Sequence, residues 1–128
     1  MNFKIGKRYF RRDIATVLRG DWVSYLPQSK GQVVCGCFTF DHNTGAPEEV
    51  QVGNAPKVTQ KAELLASQPL KRIPVFLKME GKGPQWEYSG VYEFIELTND
   101  RSAIKSAEKR SGRHGELSYI LRLKKVSE

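Results

Sequence analysis

The sequence is poor in the residues that cross-link a chain or bind a metal. Its 128 residues include two cysteines, Cys35 and Cys37, and two histidines, His42 and His114. The cysteines are two residues apart in a strand-like segment, which places both on one face and makes a disulfide between them difficult. A zinc site needs a second ligand pair at metal spacing, and none occurs. We therefore expect two buried free thiols, no metal site and no cofactor.

Long apolar runs are also missing. No stretch reaches the roughly 18 apolar residues of a membrane span, and the residues from Met1 to Arg8 contain no apolar segment of signal-peptide length. These absences predict a cytoplasmic protein with no membrane partner. Because 128 residues make about one domain and 39% of them are hydrophobic, we expect a single folded domain over 1–128.

Negative charge is scarce as well. Lys and Arg number 21 against 14 Asp and Glu, for a net charge of +7, which favours an anionic partner such as nucleic acid. Segment 105–113 contains Glu108 as its only acidic residue. The residues near the C-terminus that we predict to contact phosphate are Lys105, Lys109, Arg110, Arg113 and Arg122. A merely solvated surface is the alternative.

Hydrophobic periodicity predicts the secondary structure. Three segments have apolar residues at helical spacing: 11–19, 57–67 and a helix capped by Asp100 that runs to 110. The segments rich in β-branched and aromatic residues, which predict strands, are 23–26, 32–40, 49–52, 73–78, 86–95 and 117–123. The first two read as a hairpin. The mixture predicts an α+β domain, with a curved mixed β-sheet or β-barrel of five to six strands and two to three helices.

Three segments of the second half follow one another in a suggestive order. They read Ile-Pro-Val-Phe-Leu-Lys over 73–78, Tyr-Ser-Gly-Val-Tyr over 88–92 and Tyr-Ile-Leu-Arg-Leu over 119–123. This order resembles the SRA-YDG domain, a PUA-like module related to ASCH, EVE and YTH domains, and the match covers about residues 33–125. The sequence departs from the family where Ser89 replaces the signature Asp, and where Gln51 or Val52 replaces an aromatic residue.

The resemblance implies a module that binds a modified base in DNA, flipped into an aromatic pocket. DNA is favoured over RNA, and a nuclease partner in a restriction or defence system is implied. Such a pocket needs aromatic faces and polar groups for the base edge. The residues predicted to form it are Trp22, Tyr25, Phe38, Asp41, His42, Asn43, Trp86, Tyr88 and Ser89. The alternative for Tyr88 and its neighbours is a core stripe, and Asp-His-Asn is also an ordinary turn composition.

A turn before the second predicted helix offers a further phosphate site. Gly53 and Asn54 precede that helix, and backbone N–H groups at a helix N-terminus bind anions. Lys57, in its first turn, adds a positive charge. We predict that these three residues contact phosphate.

Binding is favoured over catalysis, because no nucleophile-elbow, HExxH or P-loop pattern occurs. Some ASCH relatives are amidohydrolases that use Lys, Thr and Glu. The residues that this resemblance would assign are Thr39, Lys78, Glu80 and Glu87. A small amidohydrolase of modified nucleosides is therefore one alternative function, and a protein-interaction scaffold is another.

Overall fold

The computed structural model describes residues 3–40, 43, 45–79, 81 and 83–127. The helices are α1 (Arg11–Leu18), α2 (Pro56–Ser67) and α3 (Arg101–Ser111). The strands are β1 (Arg8–Tyr9), β2 (Gln28–Ser29), β3 (Gln32–Val33), β4 (Gly36–Thr39), β5 (Glu49–Gly53), β6 (Arg72–Lys78), β7 (Trp86–Thr98) and β8 (Leu117–Ser127).

Six strands form one mixed sheet. Its order is β4-β6-β7-β8-β5, with β1 paired to the beginning of β7. The β4–β6 pair is parallel and the other pairs are antiparallel. The α+β class is thus confirmed. The sheet is open, with β4 and β5 as its two edges, so the closed-barrel form of the prediction is wrong.

Helices cover both faces of the sheet. Val75 and Leu77 of β6 pack in the core cluster that contains Leu65 of α2. Phe76, between them, packs with Ile14 of α1, because successive side chains of a strand point to opposite faces. On β8, Ile120 packs against α3 and Leu121 joins the α2 side. Therefore α2 lies on one face, and α1 and α3 lie on the other.

The three helices agree with prediction to within one or two residues at each end. The predicted cap is confirmed, since Asp100 accepts a hydrogen bond from the backbone N–H of Ala103 at 3.0 Å. Apolar spacing is a dependable signal here because each helix packs one face against the sheet.

The predicted strand over 23–26 is wrong. Asp21 turns this segment into an irregular loop, because its carboxylate accepts hydrogen bonds from the backbone N–H groups of Val23 at 3.1 Å and Ser24 at 2.8 Å. Backbone groups that a side chain satisfies do not need a partner strand.

A short hairpin follows in place of the predicted one. It joins β2 to β3 through Lys30 and Gly31, both with positive φ, as a two-residue hairpin turn requires. The predicted strand over 32–40 is divided: β3 stays in the hairpin, and β4 pairs with β6 in the large sheet.

Gln68 joins the end of α2 to β3. Its side chain is buried, with 4% exposed. Its Oε1 accepts from the backbone N–H of Val33 at 2.7 Å, and its Nε2 donates to the carbonyl of Val33 at 2.9 Å. The side chain thus gives β3 the pair of hydrogen bonds that a neighbouring strand would supply.

Removing this side chain should destabilise the fold. We expect Gln68→Ala to lower the free energy of unfolding by about 2–4 kcal/mol, because the N–H and carbonyl of Val33 would be left buried without partners. Urea denaturation measures the effect. The control Gln60→Ala, on the exposed side of α2, should change it by less than about 0.5 kcal/mol. Equal losses in the two variants would contradict this role.

Candidate functional site

A pocket of about 460 Å³ is lined by residues of both β4 and β5, the two edge strands of the open sheet. Its described lining comes from both edge strands, from α1 and α2, from the start of β7, and from the loops around them. The lining residues are Arg11, Trp22, Val23, Ser24, Tyr25, Cys37, Phe38, Thr39, Asn43, Gln51, Gly53, Val58, Trp86 and Arg113. The volume is in the range of about 300–1,000 Å³ that small-molecule sites occupy.

Four aromatic residues predicted for a base pocket lie together in this wall. Trp22 is 58% exposed at the rim, whereas Phe38 is 1% and Trp86 8% exposed. Tyr25 is fixed because its hydroxyl donates to the carbonyl of Val58 at 2.6 Å. Burial raises the pKa of Tyr25 well above its ordinary value, so the phenol stays neutral. The pocket therefore has buried aromatic residues in its interior and one exposed aromatic residue, Trp22, at its rim.

Arg11 links α1 to this wall. Its guanidinium carbon lies 5.2 Å from the ring centre of Trp86, a cation–π distance. Its Nη2 donates to the carbonyls of Asp21 at 3.2 Å and Ser24 at 3.0 Å. Its Nε is buried without a partner among the described residues. The pocket wall thus contains a fixed cation with an unused donor.

The rim turn is organised by Asp21. Besides the backbone N–H groups of Val23 and Ser24, its carboxylate accepts from the Ser24 hydroxyl at 2.7 Å and from the N–H of Gln28 at 3.4 Å. Partial burial opposes ionisation, but these hydrogen bonds outweigh it and lower the pKa of Asp21 to about 2. The turn that presents Trp22 is therefore held by an ionised carboxylate at neutral pH.

Two buried amides supply polar groups to the wall. Asn43 accepts a hydrogen bond from the backbone N–H of Gln51 through Oδ1 at 2.6 Å, which leaves the amide nitrogen as the donor end. Gln51 donates from Nε2 to the carbonyl of Ala107 at 3.3 Å, and its Oε1 is buried without a partner among the described residues. Backbone contacts thus fix the orientation of both amides.

A second cation comes from the loop after α3. Arg113 lines the pocket beside Gly53, where an added Cβ would lie 3.4 Å from Arg113 Nη2. Asn54 holds this loop to the end of β5: its Nδ2 donates to the carbonyl of Gly115 at 3.0 Å and its N–H to that of Glu116 at 2.8 Å. The Gly-Asn turn therefore positions an arginine at the pocket.

Other predicted base-pocket residues lie elsewhere. Tyr88 is 3% exposed and packs with Ile14 and Phe76, because it is on the α1 face of β7. Ser89 is hydrogen-bonded to the hydroxyl of Tyr92 at 3.0 Å. Neither lines the pocket. Asp41 and His42 lie outside the described residues.

The remaining predicted phosphate contacts are dispersed. Lys57 borders a separate groove on α2, and Lys105 borders one on α3. Lys109 is exposed near the end of α3. Arg110 and Arg122 both form ion pairs with Glu49, the latter at 3.2 Å. Of the residues predicted to contact phosphate, the structure therefore brings Arg113 and Gly53 to the pocket, while Asn54 and the other predicted cations are not among its described lining residues.

The residues assigned to hydrolysis are partly close together. Thr39 and Lys78 are register partners across β4 and β6. Thr39 lines the pocket, and Lys78 Nζ lies 5.7 Å from the ring centre of Trp86. Glu87 pairs in register with Leu77. Glu80 lies outside the described residues.

Sequence reasoning missed Arg11 and Gln51 as pocket residues, although both left a signal. Arg11 is three residues before Ile14 and seven before Leu18, so it shares their inward helical face. Gln51 is a polar residue between Val50 and Val52 in a strand that is buried at all three positions. Buried polar residues of this kind are uncommon without a partner or a function.

The expected thiols are present at the base of this region. Cys35 and Cys37 are free and buried, with sulfur atoms 3.8 Å apart. The hydrogen bond with Cys37, followed by burial, raises the pKa of the Cys35 thiol. Within the described chain, no group of three or more His, Cys, Asp or Glu side chains is arranged to hold a metal.

Comparison with known proteins does not assign the chain to a family. No family model, curated protein or solved structure matches it. The resemblance to the SRA-YDG domain therefore stays a prediction. None of the helices in the described part of the chain is long and apolar enough to cross a membrane.

The Asp21 turn generates a pH prediction. The folded pKa of Asp21, about 2, lies below its ordinary value of 3.8, so its stabilisation is complete above about pH 4 and is lost as the pH falls through 2. We expect Asp21→Asn to cost about 1 kcal/mol of unfolding free energy at pH 7, and this difference from the wild type to shrink between pH 4 and 2.

Urea denaturation at pH 7 and between pH 4 and 2 measures the difference in unfolding free energy between the wild type and Asp21→Asn. Glu116→Gln, which also removes one carboxylate but from an exposed side chain, should change stability at pH 7 by less than about 0.5 kcal/mol. A difference between wild type and Asp21→Asn that stays constant down to pH 2 would show that the charge of Asp21 does not hold the turn.

Proposed function

We propose that this protein binds nucleic acid and holds one base, unstacked from its neighbours, in the pocket between β4 and β5. The observation that carries the proposal is the convergence of aromatic, amide and guanidinium groups on one pocket. A modified base in DNA is the favoured ligand, and a PUA-like frame and a nuclease partner in the cytoplasm belong to the same proposal.

Each part of the wall suits a different part of a nucleotide. Trp22, which is 58% exposed at the rim, offers an aromatic face on which a base can stack, and stacking tolerates any base. Asn43 and Gln51 offer a fixed donor and a fixed acceptor to a base edge. An extruded base loses its partners in the duplex, and these groups would replace them.

The charge of the wall suits a polyanion. Arg11 and Arg113 are cationic, and the described lining residues include no carboxylate, while Asp21 of the rim turn lies 3.9 Å from Arg11. The unused Nε donor of Arg11 needs an acceptor, which a base carbonyl or a phosphate oxygen supplies. An anionic ligand would therefore gain both hydrogen bonds and Coulomb attraction.

Fluorescence anisotropy with labelled oligonucleotides tests the proposal. The panel holds single-stranded and duplex forms that contain one cytosine, 5-methylcytosine, 5-hydroxymethylcytosine, glucosyl-hydroxymethylcytosine or N6-methyladenine. We expect micromolar or tighter binding at low salt, with a steep loss of affinity as salt rises. The absence of binding to every oligonucleotide would refute the proposal, and salt-insensitive binding to a protein would favour an interaction scaffold.

Pocket variants should weaken that binding. We expect Trp22→Ala to raise the Kd roughly 5- to 100-fold, because one stacked base contributes about 1–3 kcal/mol. Asn43→Asp keeps the acceptor for the Gln51 N–H but replaces the donor with a negative charge, and should raise the Kd at least about tenfold. The controls Ile95→Ala and Asn99→Asp change exposed residues outside the pocket and should leave the Kd within about twofold.

A hydrolase is the second candidate, favoured by the register pairing of Thr39 with Lys78 beside the pocket. Its test substrate is N4-acetylcytidine, in which water would add to the acyl carbon, the bond to N4 would break, and cytidine and acetate would form. Chromatography follows the products. We expect no turnover; turnover that Lys78→Ala abolishes and Lys105→Ala preserves would replace binding with catalysis.

A further inference from the structure

The basic residues form two groups, and the structure differs from the sequence prediction about which one is available to phosphate. In the C-terminal group, Arg110 pairs with Glu49, and Arg122 pairs with Glu49 at 3.2 Å and Glu96 at 3.3 Å. An arginine that already pairs with a carboxylate loses that contact when it binds a phosphate. These two arginines therefore contribute less to phosphate binding than the sequence suggests.

The N-terminal group is much less neutralised. Residues 3–20 contain Asp13 as their only acidic residue. The exposed basic side chains of this segment are Lys4, Lys7, Arg8, Arg12 and Arg19. The ion pair of Arg12 with Asp13 is long, at 3.9 Å, and both side chains are more than half exposed, so it holds little energy. The segment keeps most of its positive charge for an external partner.

Two of these arginines lie at the two ends of α1. Arg12 is in its first turn, and Arg19 is its C-cap residue. Ile14 and Ala15, the buried residues of α1, anchor the helix to the sheet. Arg19 ends the helix with φ of 61°, and Asp21 begins the rim turn two residues later. Exposed positive charge is therefore present at both ends of α1, and the Arg19 end is two residues from the rim turn.

The rim turn itself exposes apolar surface. Trp22 is 58% and Val23 89% exposed, and both line the pocket. Four donors, the N–H groups of Val23, Ser24 and Gln28 and the Ser24 hydroxyl, bind the Asp21 carboxylate and fix the turn, and Arg11 ties it to α1. An apolar tip that is rigid before binding loses little conformational entropy when it contacts a ligand.

We propose that α1 and the Trp22–Val23 turn form the surface along which the sugar–phosphate chain runs. Arg12 and Arg19 contact phosphates, and Val23 packs against the base next to the one in the pocket. Nucleic acid presents phosphates next to apolar base faces. This surface presents arginines next to an apolar turn, so the two are complementary. This inference rests on the proposed function and names the face that binds the chain.

The test compares two charge-matched double variants. Arg12→Gln with Arg19→Gln and Lys105→Gln with Lys109→Gln each remove two exposed positive charges from one helix. Binding to a labelled, unmodified 14-base-pair DNA duplex is measured by anisotropy between 25 and 200 mM salt, and thermal unfolding confirms that each variant is folded. An unmodified duplex is sufficient, because phosphate contacts do not depend on the base in the pocket.

We expect the α1 variant to lower the slope of log Kd against log salt by about 1–2, since each phosphate contact contributes about 0.9. Its affinity should fall at least about tenfold at the lowest salt. The α3 variant should keep the wild-type slope within about 0.3. Equal effects of the two variants, or a larger effect of the α3 variant, would overturn the inference and leave the proposed function standing. No salt-sensitive binding by the wild type would remove both.

The apolar tip has its own measurement, made on the oligonucleotide of the panel that binds most tightly, because Val23 is proposed to contact the base next to the one in the pocket. Val23→Ala should weaken binding about three- to tenfold without changing the salt slope, because it removes packing and no charge. Leu70→Ala, which also truncates an exposed apolar residue, should have no effect beyond about twofold. If Val23→Ala and Leu70→Ala are alike, the turn does not contact the bases.

Discussion

The position of the Arg11 guanidinium is the constraint on which the site depends. It lies against the Trp86 ring and donates to the carbonyls of Asp21 and Ser24, so it joins α1, the sheet and the rim turn. A buried cation is costly unless its environment compensates. Here the aromatic face, the two carbonyls and the Asp21 carboxylate at 3.9 Å supply that compensation. The geometry suits arginine better than lysine, because a planar fork can stack and donate at the same time.

The open sheet explains why a pocket exists at this point. An unpaired sheet edge exposes backbone groups and must be covered. The segment directly after the rim turn covers β4, where the N–H of Cys37 donates to the carbonyl of Tyr25 at 2.9 Å. Asn43 covers β5 through the N–H of Gln51. At each edge a hydrogen bond therefore takes the place of one that a neighbouring strand would make. The pocket that both edges line stays available to a ligand.

The sequence predicted those features that depend on local periodicity. Helix α2 and strand β6 were predicted almost to the residue, because repeated burial of one face leaves a repeating pattern. The segment 23–26 looks like a strand by composition, but the carboxylate of Asp21 sets its conformation. A single side chain that competes for backbone N–H groups leaves no periodic signal.

The site was predictable in part for the same reason. Aromatic residues near turns pointed to Trp22, Tyr25, Phe38 and Trp86, which do meet. The count of charges was a poor guide to the phosphate contacts, because it does not show which arginines have carboxylate partners. Glu49 is far from Arg122 in sequence and yet lies beside it, since β5 and β8 pair. Net charge therefore favours a class of partner, whereas ion pairs across the sheet decide which part of the surface can receive it.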